Sequence, residues 1–193
     1  MSKRVDEMLV NSKFSDVVDD ILKEINLDGK FALDATCGRG NDSLKLIQNL
    51  GSNGFLYACD IQEEAINSTE NLLCSKGYQN YRLYKISHEY VFERIEEKLD
   101  FIIYNLGYLP KSDKSIFTKA ESTIISLREA INKISKEGII VVVSYLGHQG
   151  STEEREKLSK FLKNLDQKKY KVEKIEFFNQ VNNPPIVYKI GVI

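Results

Sequence analysis

Apolar residues recur along this chain in two rhythms, at helical spacing in some stretches and as short unbroken runs in others. Val17, Val18, Ile21, Leu22 and Ile25 form a stripe that predicts a helix. Ser15 is its expected N-cap and Asp28-Gly29 its expected stop. Such a stripe is expected to pack on the core rather than to cover a ligand site. Phe31-Ala32-Leu33 then runs into Asp34, two glycines follow at Gly38 and Gly40, and Leu44, Ile47 and Leu50 mark a helix. Phe55–Cys59 predicts a second strand, ended by Asp60. Residues 62–76 predict a helix carrying Ala65, Ile66, Leu72 and Leu73, stopped at Gly77. Tyr81–Ile86 predicts a strand with Ser87-His88 at its end, and Val91, Ile95 and Leu99 a brief helix. Phe101–Tyr104 predicts a buried strand ending at Asn105. After Pro110, the polar stretch Lys111–Lys119 predicts a loop. Helical spacing returns through Ile124, Leu127, Ile131 and Ile134 and stops at Gly138. Ile139–Tyr145 is the most β-branched apolar run, which predicts a central strand. Thr152–Leu165 predicts a helix with Leu158, Phe161, Leu162 and Leu165 inward and lysines outward. Lys171–Phe178 and Ile186–Ile193 predict the last two strands.

Strands alternating with helices require a mostly parallel sheet. The final two strands are joined only by residues 179–185, too few for a parallel crossover, so they must run antiparallel. The expected architecture is an α/β single domain over residues 1–193, with residues 1–28 as a polar and then helical N-terminal extension.

Composition narrows the chemistry. The net charge of −1 argues against indiscriminate nucleic-acid binding and leaves room for a local basic patch. Cys37, Cys59 and Cys74 have no metal-ligand spacing, so no metal site is expected and the chain reads as a reduced, cytoplasmic protein. No apolar run has membrane-spanning length, and the N-terminal residues lack the pattern of a signal peptide.

Strand, glycine turn and helix at Ala32–Ser43 form the opening of a nucleotide-binding βαβ unit, though a lone Gly-x-Gly also suits an ordinary turn. Two acids strengthen the nucleotide reading. Asp34 lies inside a strand end, where a carboxylate is costly without a partner. Asp60 ends the next strand about twenty residues on, where an acid can hold ribose hydroxyls. Ser43 stands where a dinucleotide-binding loop carries its third glycine, which opposes NAD chemistry. In open α/β sheets, ligands bind beyond the carboxyl ends of the parallel strands. Residues 38–42, Asp60, Ser87-His88, residues 105–108 and residues 145–148 all fall on that rim, as does the hairpin loop 179–185.

Asp34 before the turn and Ser43 after it resemble S-adenosylmethionine (SAM) methyltransferases. That resemblance implies a Rossmann-like seven-stranded sheet in the order 3-2-1-4-5-7-6 with a C-terminal antiparallel hairpin. Asn105-Leu106-Gly107-Tyr108 resembles the Asn-Pro-Pro-Tyr motif of enzymes that methylate amino nitrogens. An Asn105 amide oxygen and the Leu106 carbonyl can accept N–H groups from an amine and aim its lone pair, while Tyr108 offers a flat face. His148 can contact the nucleotide or accept a proton, and His88 is expected to shape an adenine pocket.

Asp-Ala-Thr-x-Gly-x-Gly-x-Asp (Asp34–Asp42), Asn-Leu-Gly-Tyr-Leu-Pro-x-x-Asp-Lys (Asn105–Lys114), Gly-His-x-Gly (Gly147–Gly150) and Asn-Gln-x-Asn-Asn-Pro-Pro (Asn179–Pro185) occur in one order. From about Asp28 to its end the chain resembles a bacterial family labelled "putative rRNA methylase", which includes the tRNA 5-aminomethyl-2-thiouridine methyltransferase of Gram-positive bacteria. The resemblance implies N-methylation of the aminomethyl group on wobble uridine 34 of tRNA. It implies a SAM site formed by Asp34, Thr36, Gly38, Gly40, Asn41, Asp42, Asp60, Ile61, Gln62, Ser87, His88 and Asn105. Asn105, Tyr108 and His148 are the implied catalytic residues. The tRNA anticodon stem-loop would meet Leu106, Gly107, Tyr108, Pro110, Lys114, Tyr145, His148, Asn179, Gln180, Asn182, Asn183 and Pro184. Lys111, Lys114 and Lys119 are candidates for phosphate contacts, whereas the lysines of residues 157–174 read as a solvated helix face. The chain departs from the family at Asn41 (often His), Ser43 (Thr), Lys111-Ser112 (two glycines) and Ile86 (an acid). Competing readings are the same chemistry on rRNA or another amine, and a non-catalytic SAM-fold RNA-binding or partner subunit. Monomer and homodimer both remain open.

Overall fold

A computed structural model describes residues 13–107, 117–145, 151–181 and 184–193. Seven strands form one sheet: β1 (Phe31–Asp34), β2 (Phe55–Asp60), β3 (Tyr81–Lys85), β4 (Leu99–Leu106), β5 (Ile134–Ser144), β6 (Tyr170–Ile175) and β7 (Ile186–Val192). Their order is β3-β2-β1-β4-β5-β7-β6, as expected. The first five pair in parallel, and β7 runs antiparallel to both β5 and β6.

The helices divide between the faces. On one face lie α1 (Phe14–Glu24), α2 (Asn41–Leu50) and α3 (Glu63–Ser75), which bury Ile21, Leu46, Ile47, Leu50 and Leu73 against Ala32, Leu56, Ile103 and Val141. On the other, α4 (Ala120–Lys133) and α5 (Ser151–Lys163) bury Leu127, Ala130, Leu158 and Leu162 against Leu33, Ile102, Val142 and Tyr188. Each fully buried Leu or Ile contributes roughly 1.5–3 kcal/mol, so both faces drive folding. The α1 stripe is core, as its spacing implied. No helix among the described residues is long and apolar enough to cross a membrane.

Several boundaries differ from the sequence expectation. Helix α1 starts two residues earlier, with Lys13 rather than Ser15 at the N-cap. The Lys13 N–H donates to the Asp16 carboxylate at 2.9 Å, and Ser15 donates to Asp16 instead of capping. The helix ends at Glu24, before Asp28-Gly29. That pair forms a turn in which Gly29 (φ 72°) donates to the Leu50 carbonyl. Val91–Arg94 is a single 3-10 turn, and Leu99 belongs to β4 rather than to a helix. Ile134 likewise belongs to β5, because it pairs with Leu99 before the register shifts to Phe101 opposite Ile139. The extra residues bulge out, with Glu137 at φ 67°, so Gly138 lies within β5 and is not a helix stop. Helix α5 ends at Lys163, short of the expected Leu165; Phe161 and Leu165 are only half-buried, whereas Glu154 on α5 is 2% exposed. Strand β6 stops at Ile175, leaving residues 176–178 in the hairpin loop.

Candidate active site

The carboxyl ends of β1, β2, β3, β4 and β5 open onto one cavity of about 690 Å³. The sequence-predicted residues Thr36, Gly38, Asn41, Asp42, Asp60, Ile61, Gln62, Ser87, His88, Asn105, Leu106, Gly107 and Tyr145 all line it. Asp34, Gly40, Asn179, Gln180 and Pro184 do not. Tyr108, Pro110, Lys111, Lys114, His148, Asn182 and Asn183 lie outside the described residues, as do residues 1–12.

The glycine turn is shaped from below. Gly38 and Gly40 take φ values of 52° and 81°, a left-handed conformation that glycine adopts without steric cost. Gly40 is the N-cap of α2, and a Cβ there would lie 3.0 Å from the Thr69 Cα in α3. It therefore serves close packing rather than ligand contact. Asp34, expected to touch the cofactor, is 1% exposed beneath the turn. Its carboxylate accepts the Ser43 hydroxyl at 2.6 Å and the Thr36 N–H at 3.2 Å. Ser43, the residue that replaces a third glycine, is thus the donor that makes a buried acid tolerable. Burial, with the nearby Asp42 charge, pushes the Asp34 carboxyl up to about 7, while its two hydrogen bonds pull the other way.

Two of the sequence-predicted carboxylates, Asp60 and Asp42, lie on the cavity wall. Asp60 accepts N–H groups from Gly38 at 3.1 Å and Gln62 at 3.0 Å, which fixes both oxygens while leaving lone pairs open. Asp42 lies in the first turn of α2 and accepts the Asn105 side-chain amide. Burial raises the proton affinity of both acids. An ionised carboxylate only accepts hydrogen bonds, so the Asn105 NH₂ faces Asp42, and among the described residues Oδ1 accepts no hydrogen bond. The Asn105 backbone N–H donates to the Thr36 hydroxyl at 2.7 Å, which locks the end of β4 to the glycine turn. The Leu106 carbonyl receives a long contact from the Tyr145 N–H at 3.4 Å and keeps one lone pair free.

His88 is buried, with its ring edge toward Tyr104 at 5.9 Å. Its backbone carbonyl accepts the Ser126 hydroxyl, which also bonds the Tyr104 hydroxyl. Burial pulls the imidazole down to about 4, so it is neutral at ordinary pH. Its Nε2 has no partner among the described residues, although the ring borders the cavity. Ile61 and Ile86 add apolar wall on the β2 and β3 side. These features suit a nucleoside: a fixed acid for sugar hydroxyls, apolar faces for a base, and an orphaned imidazole nitrogen.

Sequence reading missed part of the wall. Glu89, Phe117, Thr118 and Ser122, which the sequence did not single out, also line the cavity, as do Arg39 and Lys119 from stretches it did. Thr118 donates its N–H to the Gly107 carbonyl at 2.9 Å, returning the chain to the end of β4. The Thr118 and Thr123 hydroxyls both donate to buried Glu154 on α5. The only advance signal was a polar segment following Asn105, which carries no partner information.

The sequence pattern of the "putative rRNA methylase" family matches residues 56–191. The chloroplastic tRNA (mnm(5)s(2)U34)-methyltransferase of Arabidopsis thaliana is 32% identical over 187 residues, covering 91% of this chain and 68% of that protein. A putative rRNA-methylase structure from Clostridium thermocellum superposes with a TM-score of 0.93 at 38% identity, covering 96% of this chain and all of the other. A Streptococcus mutans methyltransferase in complex with S-adenosylhomocysteine (SAH) superposes with a TM-score of 0.87 at 26% identity, covering 95% of this chain and all of the other.

Proposed function

Because the chain belongs to the "putative rRNA methylase" family and is a SAM-dependent RNA methyltransferase, we propose that it methylates the aminomethyl nitrogen of 5-aminomethyl-2-thiouridine at tRNA position 34. The product is the 5-methylaminomethyl-2-thiouridine named for the Arabidopsis relative. The observation that carries this reading is Asn105, a cavity-lining residue held by Asp42 and Thr36 with its amide oxygen unpaired among the described residues. An acceptor oxygen at a methyl-transfer site suits an amine, which has N–H groups to donate.

The cofactor supplies a methyl group on a positively charged sulfur. Asp60 would hold the ribose hydroxyls, and Ile61, Ile86 and His88 would enclose the adenine. The turn from Thr36 to Asp42 would take the methionine part. Asp42, which orients Asn105, would offer its negative charge to the cationic methyl donor. The substrate is the RNA amine. An alkylammonium has no lone pair, so the nitrogen must first lose a proton. Asn105 Oδ1 and the free lone pair of the Leu106 carbonyl would then accept its remaining hydrogens and aim its lone pair. Positioning of this kind supplies much of the rate in a displacement reaction. Tyr145, 42% exposed at the mouth, offers a ring face to the anticodon loop. Tyr108 and His148 are proposed to complete the pocket, His148 or water taking the proton. The enzyme is proposed to act in the cytoplasm.

Single-turnover methyl transfer to tRNA bearing the aminomethyl group tests this. Asn105→Ala should keep SAM affinity and lose turnover by about 10²-fold or more, because positioning and not cofactor binding is removed. Near-wild-type turnover would refute the role of Asn105. Transfer to rRNA fragments but not to aminomethylated tRNA would refute the substrate.

A further inference from the structure

A second concavity of about 680 Å³ lies outside the cofactor cavity, between α5 and the β6–β7 edge of the sheet. Its cationic lining is Arg155, Lys160 and Lys163 from α5 and Lys174 from β6, with Glu156 as the opposing charge. Residues 156, 160 and 163 recur at intervals of four and three, so they share one helix face. Among the described residues, Lys160, Lys163 and Arg155 form no ion pair, whereas Lys174 is 2.6 Å from Glu176. Unpaired cations concentrated in one concavity of a chain with net charge −1 are a local field, not a generally basic surface.

One hydrogen-bonded tie runs from the groove to the strand end at the cofactor cavity. Arg155 Nη2 donates to the Ser144 carbonyl at 3.0 Å and the Pro184 carbonyl at 3.3 Å. It thereby ties the end of β5 to the chain entering β7, and Tyr145, the residue after Ser144, lines the cofactor cavity. From Arg155 the groove follows α5 to Lys163 over ~12 Å, at about 1.5 Å per residue. The groove thus lies along the helix that follows β5, and the residue after β5, Tyr145, borders the cofactor cavity.

We propose that this groove binds the ribose-phosphate backbone of the substrate RNA beside the modified nucleotide. It would supply the sequence-independent part of the affinity while the cavity supplies the chemistry. This assigns to α5 lysines a binding role where the sequence suggested only a solvated face. The proposal rests on the RNA-methyltransferase reading and names the surface that reading leaves open.

The test is fluorescence anisotropy at several salt concentrations, using whichever RNA the wild-type enzyme methylates. Three proteins are compared: the wild type, the double variant Lys160→Glu/Lys163→Glu, and Lys136→Glu at the opposite end of β5. The double variant should bind RNA at least ~10-fold more weakly, and its slope of log affinity against log salt should be shallower by about 1 to 2. SAM affinity should not change, and Lys136→Glu should bind RNA as the wild type does. The Lys160→Gln/Lys163→Gln pair should fall between wild type and the charge reversal. Unchanged affinity and slope in the double variant would overturn the groove, leaving an acidic protein as its occupant. Equal weakening by Lys136→Glu would overturn it as well, by showing a general charge effect. A wild type that methylates an RNA other than tRNA would refute the proposed substrate without touching the groove.

Discussion

Asp34→Asn should make this protein more stable at and above neutral pH, although it removes an acid from the centre of the cofactor loop. The carboxyl is buried and its proton affinity is raised from the ordinary 3.8 to about 7. Between those two values the folded protein holds a proton that the unfolded chain has released. Wild-type stability due to this group is therefore greatest below pH ~4 and falls as pH rises to ~7, by ~1.4 kcal/mol per unit. A shift of about three units corresponds to a loss of ~4 kcal/mol once both states are ionised. Asparagine carries no charge to desolvate. Its oxygen can still accept the Thr36 N–H, and its NH₂ can donate to the Ser43 hydroxyl, which accepts as readily as it donates. Urea unfolding of both proteins from pH 5 to 8.5 reads the effect, since titrating groups remote from Asp34 cancel in the difference and only its neighbours Asp42 and Asp60 respond to the lost charge. The stability advantage of the variant should grow by a few kcal/mol toward pH 7 and then level off. A difference that stays constant across this range would refute the placement of a strained carboxylate at Asp34.

Two further outcomes follow from the same turn. Asp60→Ala should weaken SAM binding by about 1–3 kcal/mol by calorimetry, through loss of charge-assisted hydrogen bonds; equal affinity in a folded variant would remove Asp60 from the ribose site. Gly40→Ala should destabilise the fold by ~2 kcal/mol or more, because it combines a left-handed backbone with a Cβ pressed against Thr69. Thermal melting without cofactor reads that loss, and an unchanged midpoint would show that α3 yields.

The sequence determined the sheet. Period and run length distinguish helices from strands locally, and a connection as short as residues 179–185 allows only antiparallel pairing, while the strand order followed from the resemblance to SAM methyltransferases. It also determined which end of the sheet carries chemistry, because Asp60, Ser87-His88 and Asn105 stand at strand ends. Tertiary structure decided what each group does there. Asp34 and Asp42 are both acids flanking one glycine turn, yet α2 and the sheet close over the first and leave the second on the cavity wall. Ser43 and Asn105 gained their roles from partners nine and sixty-three residues away. The start of β5 at Ile134 depended on pairing with Leu99, which overrode a helical pattern. The basic groove joins lysines of α5 to a strand that follows it in the chain, and no periodicity reports that. Spacing encodes which face a residue occupies, but burial, charge pairing and proton affinity depend on what the rest of the chain brings against that face.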